Sequence, residues 1–188
     1  YSLVSGCGMW TAYEVLFLWG WANNIFPTLE LGPHLGVLVA ITFFMPFYEE
    51  GHFYFGHRLL HWKPLYNVAH HVHHRNINFG PWTGISMHPI EHLIFFSGTV
   101  IFLFIPVHPL IVIMMLLGYG IGPVGGHAGF HKFLRKSDGK EKPMHGLVYW
   151  GQGADFFHHL HHRYFTVNFA GNNIPLDKWL HTFHDGSP

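Results

Sequence analysis

Histidines at helical spacing constrain this chain more than any other feature of its sequence. Ten of them fall into two pairs spaced four apart and two triplets whose second and third members lie three and four positions after the first. The pairs are His57 with His61 and His127 with His131, and the triplets are His70, His73, His74 and His158, His161, His162. Because residues three and four apart share one face of an α-helix, each set is expected to present its imidazoles in one direction. Helix geometry alone can therefore direct ten imidazoles at one place.

So many imidazoles predict a metal centre. Neutral imidazole suits Zn, Cu, Fe and Ni, whereas Mg and Ca prefer oxygen ligands. A structural zinc site uses four ligands and a catalytic one uses three plus water, so ten candidates exceed either need. Two ions with about five imidazoles each, and with coordination positions left open, suit a redox-active iron pair that binds O2. One pair spaced four apart arises readily by chance, but two pairs and two triplets in one short chain do not.

The other histidines have ordinary interpretations. A lone histidine is more often a polar surface or core residue than a ligand, and six are assigned so: His34, His52, His108, His145, His181 and His184. His71 and His159 each follow the first member of a triplet. They are rotated by about 100° around the helix and should face elsewhere.

A border segment, His88-Pro89-Ile90-Glu91-His92, precedes an apolar run. Ionisable residues at such a border are often functional. We favour a role in orienting the ligating imidazoles or contacting substrate for His88, Glu91 and His92, over direct metal ligation or simple helix capping. Asp155 and Asp177 could likewise accept an N–H from a ligating histidine, or cap a helix.

Low charge indicates a membrane protein. Charged residues make up 11% of the chain and aromatic residues 18%, against about 25% charge in a typical soluble domain. Residues 8–26 are long enough to span a bilayer, and residues 35–48 continue into the first histidine pair. Two further apolar runs, 93–105 and 110–122, are short for a crossing. We expect an all-α fold of about four transmembrane helices in two hairpins, with a helical cap that carries the histidine clusters.

Basic residues predict the sidedness of this arrangement. All ten lysines and arginines lie after residue 57, and none lies in the turns at 23–34 and 106–109. With both turns on the far side, the positive-inside tendency places the histidines on the cytoplasmic face. A bacterial inner membrane is favoured over an endoplasmic reticulum membrane. The zero net charge gives no sign of a nucleic-acid partner, and a single Cys7 excludes an intrachain disulfide framework.

The length predicts one domain, 1–188, with the motifs in about 45–187. The chain begins at Tyr1 rather than Met, so we expect that it could be a fragment whose N-terminus is truncated.

The motifs resemble the fatty acid hydroxylase/sterol desaturase superfamily of integral-membrane diiron enzymes, and most of all its bacterial sterol desaturase members. The matching stretches are H-R-L-L-H at 57–61, H-H-V-H-H at 70–74, H-P-I-E-H at 88–92, G-H-A-G-F-H at 126–131 and H-H-L-H-H at 158–162, with a similar ending, PLDKWLHTFHDGS, at 175–187. That ending departs from the family's pattern at His181, where the family often has Gly.

The resemblance implies a four-helix transmembrane base and a cytoplasmic cap in which the ten patterned histidines bind two iron ions, which zinc can replace in purified or crystallised protein. It also implies O2-dependent hydroxylation or desaturation of a sterol, fatty acyl or sphingolipid-type lipid. Electrons would come from an external carrier such as cytochrome b5 or a ferredoxin, since no C-x-x-C-H or cysteine cluster forms a built-in carrier.

Three alternatives stay open at this point. A carotenoid or polyprenoid hydroxylase would share the histidine pattern and differ in its substrate groove. A zinc-dependent membrane hydrolase would hold one zinc and need no O2. A metal transporter or storage protein would place ligands near the middle of the bilayer, whereas here nearly all lie outside the apolar runs.

Overall fold

A computed structural model describes residues 1–77, 80–127, 133–135, 141–143, 154–171 and 174–187. The longer helices in this part of the chain are α1 (Ser2–Ala22), α2 (Leu35–Leu60), α5 (Pro89–Phe96), α6 (Pro109–Gly126) and α7 (Ala154–Tyr164). Shorter ones are α3 (Lys63–Leu65), α4 (His71–His74) and α8 (Leu176–Trp179), with a π-helical turn at Tyr66–His70 and 3-10 segments at Pro81–Ile85 and Ser97–Leu103. The predicted helical class is therefore confirmed.

The described strands form one short antiparallel pair, which sequence reasoning did not predict. Strand β1 (Phe133–Arg135) pairs with β2 (Glu141–Pro143), with Leu134 opposite Lys142. Within the described ranges this pair stands between α6 and α7.

The apolar run at 93–105 gains length by changing its helix type. After α5 the backbone tightens into the 3-10 segment Ser97–Leu103. A 3-10 helix rises about 2.0 Å per residue against about 1.5 Å for an α-helix, so 89–103 extends over roughly 26 Å. That approaches the thickness of about 30 Å for the hydrocarbon core of a bilayer.

One described helix, Pro109–Gly126, is long and apolar enough to cross a membrane by length and composition, and the apolar helix at Pro89–Leu103 is shorter.

The two turns that the sequence places on one side do lie together. Thr28 and Val107 form an isolated parallel bridge, and the Leu29 amide donates to the Val107 carbonyl. Helices α2 and α6 both start near these turns and end at histidines, at His57 and His61 for α2 and at His127 for α6. The histidines therefore gather at the end of the helices opposite the paired turns.

The main core lies between α1, α5 and α6. Buried aromatic and aliphatic side chains fill it, with Tyr13 and Phe17 from α1, Phe96 from α5 and Leu116 from α6. The Tyr13 ring stacks on Phe96 at 6.0 Å, and the Tyr13 hydroxyl donates to the Leu93 carbonyl at 3.1 Å. This packing fixes α5 and α6 beside each other, which positions the segments carrying Glu91 and His127.

At the departure from the family's closing pattern, His181 adopts a left-handed backbone conformation with φ of 57°. This is the region in which glycine is favoured, because a Cβ is strained there. The backbone at this position therefore adopts the left-handed conformation typical of glycine, although the residue is a histidine.

Candidate metal centre

Five buried or half-buried imidazoles converge at the end of α2. The first imidazole group consists of His57, His61, His70, His74 and His161, each with one ring nitrogen within 4.8 Å of the others'. The Nε2 atoms of His61 and His70 are 3.1 Å apart, and that of His161 lies 3.0 Å from His61 and 3.2 Å from His74. Four nitrogens so close together outline a site for one small ion.

A second imidazole group lies beside the first. It consists of His73, His127, His158 and His162, again with one nitrogen each within 4.8 Å. The Nε2 atom of His158 lies 3.4 Å from that of His73 and 3.1 Å from that of His162. The two groups adjoin where the His74 and His162 rings stack at 4.4 Å. His131, the tenth predicted ligand, lies outside the described residues.

Each triplet is divided between the two groups. His70 and His74 belong to the first group and His73 to the second, while His161 belongs to the first group and His158 with His162 to the second. Our expectation that a triplet points in one direction was therefore wrong. Adjacent helical residues are rotated by about 100°, so the rings of His73 and His74 diverge toward different groups, whereas residues four apart stay aligned.

Hydrogen bonds to Nδ1 orient the rings of the first group. His70 Nδ1 lies 2.9 Å from Glu91 Oε1, and His57 Nδ1 donates to the Phe169 carbonyl at 2.8 Å. His161 Nδ1 donates to the Val167 carbonyl at 2.6 Å. A proton held on Nδ1 leaves the Nε2 lone pair directed at the centre of the group, as in metal sites whose histidines bond carboxylates or carbonyls.

In the second group, Thr83 orients His127. The Thr83 hydroxyl lies 2.9 Å from His127 Nδ1. This contact depends on the neighbouring Gly84, since a Cβ there would collide with the Pro123 carbonyl and approach the His127 ring to 3.1 Å. The 3-10 segment Pro81–Ile85 thus packs directly on α6 and carries the threonine to the histidine.

The imidazoles are held in the neutral form that binds metal. Burial, reinforced by neighbouring imidazoles, lowers the pKa of His74 and of His162 to about 2. The same causes lower the pKa of His127 to about 4 and those of His73 and His158 well below the ordinary range. Near neutral pH no proton competes with a metal for these nitrogens.

The residues fit a bound metal in two respects. His57 Nε2 is buried and has no hydrogen-bond partner among the described residues, although a buried polar atom without a partner is costly. The Nε2 separations of 3.0–3.4 Å match ligands that share a first-row ion at about 2.0–2.1 Å, which stand roughly 2.9–3.4 Å apart. The described part of the chain therefore holds two histidine clusters that could each bind a metal ion.

The three candidate residues of the border segment, His88, Glu91 and His92, make different contacts. Glu91 is buried and contacts His70, as described above. His88 Nδ1 accepts from the Ile90 amide as the N-cap of α5, and His92 Nδ1 lies 3.2 Å from the Ser5 hydroxyl of α1. Only Glu91 of the three contacts an imidazole group, and the Asp155 side chain lies outside the described residues.

Two buried acids hold the closing stretch under the first group, and the sequence predicted a role for Asp177 in bonding a ligating histidine or capping a helix. Asp177 accepts hydrogen bonds from the Phe169 and Ala170 amides, both at 2.9 Å, and from the Thr182 hydroxyl at 2.7 Å. It bonds backbone rather than a ligating histidine. Glu50 in α2 accepts from the Gly171 amide. Both acids are buried, and a buried position for an acid is not visible in one sequence.

Replacing Asp177 with Ala should lower the free energy of unfolding by about 2–4 kcal/mol, because two buried amides and a hydroxyl lose their acceptor. The change should also loosen the Phe169 carbonyl that orients His57. Chemical denaturation in detergent measures the loss. Asp185→Ala is the matched control, since among the described residues its carboxylate accepts hydrogen bonds only from the exposed Ser187. Equal stability of the two variants would contradict this role for Asp177.

Comparison with known proteins places this geometry in context. The family model described as fatty acid hydroxylase matches residues 34–182. Similar curated proteins include methylsterol monooxygenase 1 of Gallus gallus, 32% identical over 78% of this chain and 46% of the relative. A methylsterol monooxygenase of Aspergillus fumigatus is 31% identical over 74% of this chain and 45% of its own length. A very-long-chain aldehyde decarbonylase of Oryza sativa is 30% identical over 79% and 53%.

The chain spans about half the length of the curated relatives it matches. No solved structure matches it. The names of the relatives describe oxidoreductases that act on lipids.

Proposed function

Because this chain belongs to the fatty acid hydroxylase family, we propose that it is a membrane-bound diiron oxidoreductase that hydroxylates or desaturates a C–H position of a lipid. It would use O2 and two electrons from an external carrier, cytochrome b5-like or a ferredoxin. The observation that carries the proposal is the pair of adjoining imidazole groups, each with ring nitrogens close enough together to share one ion. A hydrolase or a transporter gains no support from the relatives' names.

Each imidazole group would hold one iron ion. The first group supplies five ligands and the second supplies four from the described residues. The two groups are related by a swap of equivalent motif positions, because each takes the outer members of one triplet and the middle member of the other, and the first takes the pair His57 and His61 where the second takes His127. In this relation His131 is the counterpart of His61, which supports it as the fifth ligand of the second group.

When bound, the iron pair would activate O2 and remove hydrogen from an unactivated C–H bond. In hydroxylation, one O2, two electrons and two protons convert C–H to C–OH and release one water. In desaturation, the same input converts CH2–CH2 to CH=CH and releases two waters. The protein's share is to keep the imidazoles neutral and oriented and to hold the lipid carbon beside them in a cavity that His57, His73 and His127 border.

Helix lengths and exposed side chains support four membrane crossings. At about 1.5 Å per residue, α1 and α2 are roughly 31 and 39 Å long and α6 is roughly 27 Å. Large apolar side chains point outward from α2 and α6, with Phe43 and Phe44 more than 60% exposed and Met114 and Ile121 more than 50%. A lipid-facing belt accounts for this exposure.

The chain would form one domain over 1–188, with the imidazole groups on the cytoplasmic face of a bacterial inner membrane or of the endoplasmic reticulum. The basic residues, all after residue 57, support this orientation. The lipid substrate would enter from the bilayer, and sterol, fatty acyl and sphingolipid-type lipids are the classes proposed.

Lipid mass spectrometry tests the function most broadly. Cells expressing the chain should accumulate a lipid that has gained one oxygen atom or lost two hydrogen atoms, and 18O2 should label the hydroxylated product. Cells expressing the chain with His73→Ala serve as the control. Lipid turnover that persists without O2, with one zinc bound, would favour a hydrolase instead.

Replacing Glu91 with Gln should weaken iron binding in the first group by about 10–100-fold, because the carboxylate that bonds His70 is lost. Iron in the second group should bind as in the unchanged protein. Metal content measured against a graded chelator separates the two ions. His92→Gln, which alters a nearby buried side chain bonded to α1, is the control. Unchanged retention of both ions in Glu91→Gln would count against the positioning role.

A further inference from the structure

A cavity of about 520 Å³ extends from the imidazole groups down between α2, α5 and α6. At its upper end it reaches His57, His73 and His127. Its walls are largely apolar, with Phe53, Ile94 and Phe95 among them. Its lower end differs, because three polar side chains face it there: Glu49, His52 and Tyr119.

The Tyr119 hydroxyl is buried without a partner. The residue is 9% exposed, and its hydroxyl makes no hydrogen bond to any described residue. It lies next to His52, because a Cβ placed on Gly98 would collide with the Tyr119 hydroxyl and stand 3.0 Å from His52 Nδ1. Leaving a hydroxyl unpaired in an apolar setting is costly, so this position favours a bound polar group.

Hydrogen bonding also determines that the Nδ1 atom of His52 is an acceptor. The Ser97 hydroxyl donates to the Ile94 carbonyl at 2.7 Å, so it must accept from His52 Nε2 at 3.0 Å. A neutral imidazole with its proton on Nε2 has an acceptor at Nδ1. The lower end of the cavity thus offers a hydroxyl that can donate and a nitrogen that can accept, close together. An alcohol satisfies both at once, whereas a ketone or ester carbonyl satisfies only the tyrosine.

The charge at this end excludes a free acid. Glu49 borders the cavity, and the described lining residues include no lysine or arginine. An ionised fatty acid would meet a carboxyl group with no cation to offset its charge.

The number of residues between the two ends along α2 and α6 gives the distance from the polar end of the cavity to the imidazole groups. Tyr119 precedes His127 by eight residues and His52 precedes His57 by five, which at about 1.5 Å per residue is roughly 8–12 Å. An extended alkyl chain with C–C bonds of about 1.5 Å advances about 1.25 Å per carbon along its zigzag, so that distance corresponds to roughly six to ten carbons.

We propose that the cavity binds a neutral lipid alcohol, with its hydroxyl between Tyr119 and His52, and presents a carbon roughly six to ten positions away to the imidazole groups. The position of oxidation rests on the proposed function; the binding of an alcohol does not. A substrate oxidised next to its hydroxyl would not span this cavity.

Binding measured without O2 tests the proposal independently of turnover. The iron-loaded protein in detergent is titrated anaerobically with 1-dodecanol, dodecane and dodecanoate. We expect dodecanol to bind at least about tenfold more tightly than either of the others, and Tyr119→Phe to lose about tenfold for dodecanol only. Tyr48→Phe is the matched control, because the Tyr48 hydroxyl already donates to the Gly98 carbonyl at 2.8 Å.

Equal affinity for dodecanol and dodecane, as a bridging water would give, overturns the proposal. So does a Tyr119→Phe variant that keeps the full preference. Admission of O2 and reductant then separates this proposal from the proposed function. A preference for dodecanol without any oxidised product supports the alcohol site and contradicts the oxidoreductase, while oxidation near the hydroxyl contradicts the spacing.

Discussion

The His73→Ala variant should bind one metal ion instead of two and lose lipid turnover by more than about 100-fold. His73 is buried in the second imidazole group, and its Nε2 faces that of His158 at 3.4 Å. Loss of a group that merely orients a ligand weakens metal binding by about 10–100-fold, so loss of a ligand should cost more. Elemental analysis after desalting measures the ion count, and oxidation of the endogenous lipid measures turnover.

Two neighbouring histidines provide matched controls. His71 lies in the same short helix as His73 and belongs to neither imidazole group, and His159 has the same relation to His158. Their alanine variants should keep two ions and most of the activity. Full activity and an unchanged ion count in His73→Ala would contradict the assignment of the second group.

Removal of the metal should destabilise the protein strongly. The Nε2 lone pairs of His57 and His161 point into the first group, since their Nδ1 atoms donate to backbone carbonyls. An ion that binds the folded state alone stabilises it by about 4 kcal/mol per site at a concentration 1,000 times its Kd. Chelation should therefore lower the thermal midpoint by many degrees, measured as unfolding in detergent.

Re-addition of Fe2+ after chelation should restore the midpoint, and Mg2+ should not, because imidazole nitrogens are poor ligands for it. An identical midpoint with and without chelator would contradict metal binding by the buried imidazoles.

The histidine triplets show which features of the site could be predicted from the sequence. Their spacing predicts the convergence of imidazoles, because three- and four-residue steps are a local property of any helix. The step of about 100° between adjacent helical residues separates His73 from His74, but the group that each ring joins depends on where α2 and α7 lie relative to α4. The start of α2 at Leu35 agrees with the apolar run beginning there, but the 3-10 segment Ser97–Leu103 has no signal in hydropathy.

The orienting groups were the hardest to foresee. Glu91 was expected near the ligands because it borders an apolar run beside two histidines. The Phe169 and Val167 carbonyls and the Thr83 hydroxyl contact their histidines through long-range packing. Every residue has a backbone carbonyl, so the sequence does not indicate which carbonyl will orient a histidine ring. His52 was assigned as an ordinary polar residue, and its place at the lower end of the cavity follows only from the packing of α2 against Gly98.

The most direct measurement of the central idea is an anomalous-difference map of iron-loaded crystals, collected at the iron absorption edge. Two peaks are predicted, one surrounded by the Nε2 atoms of the first imidazole group and one by those of the second, at about 2.0–2.2 Å from each. A single peak, or iron bound away from these histidines, would contradict the account.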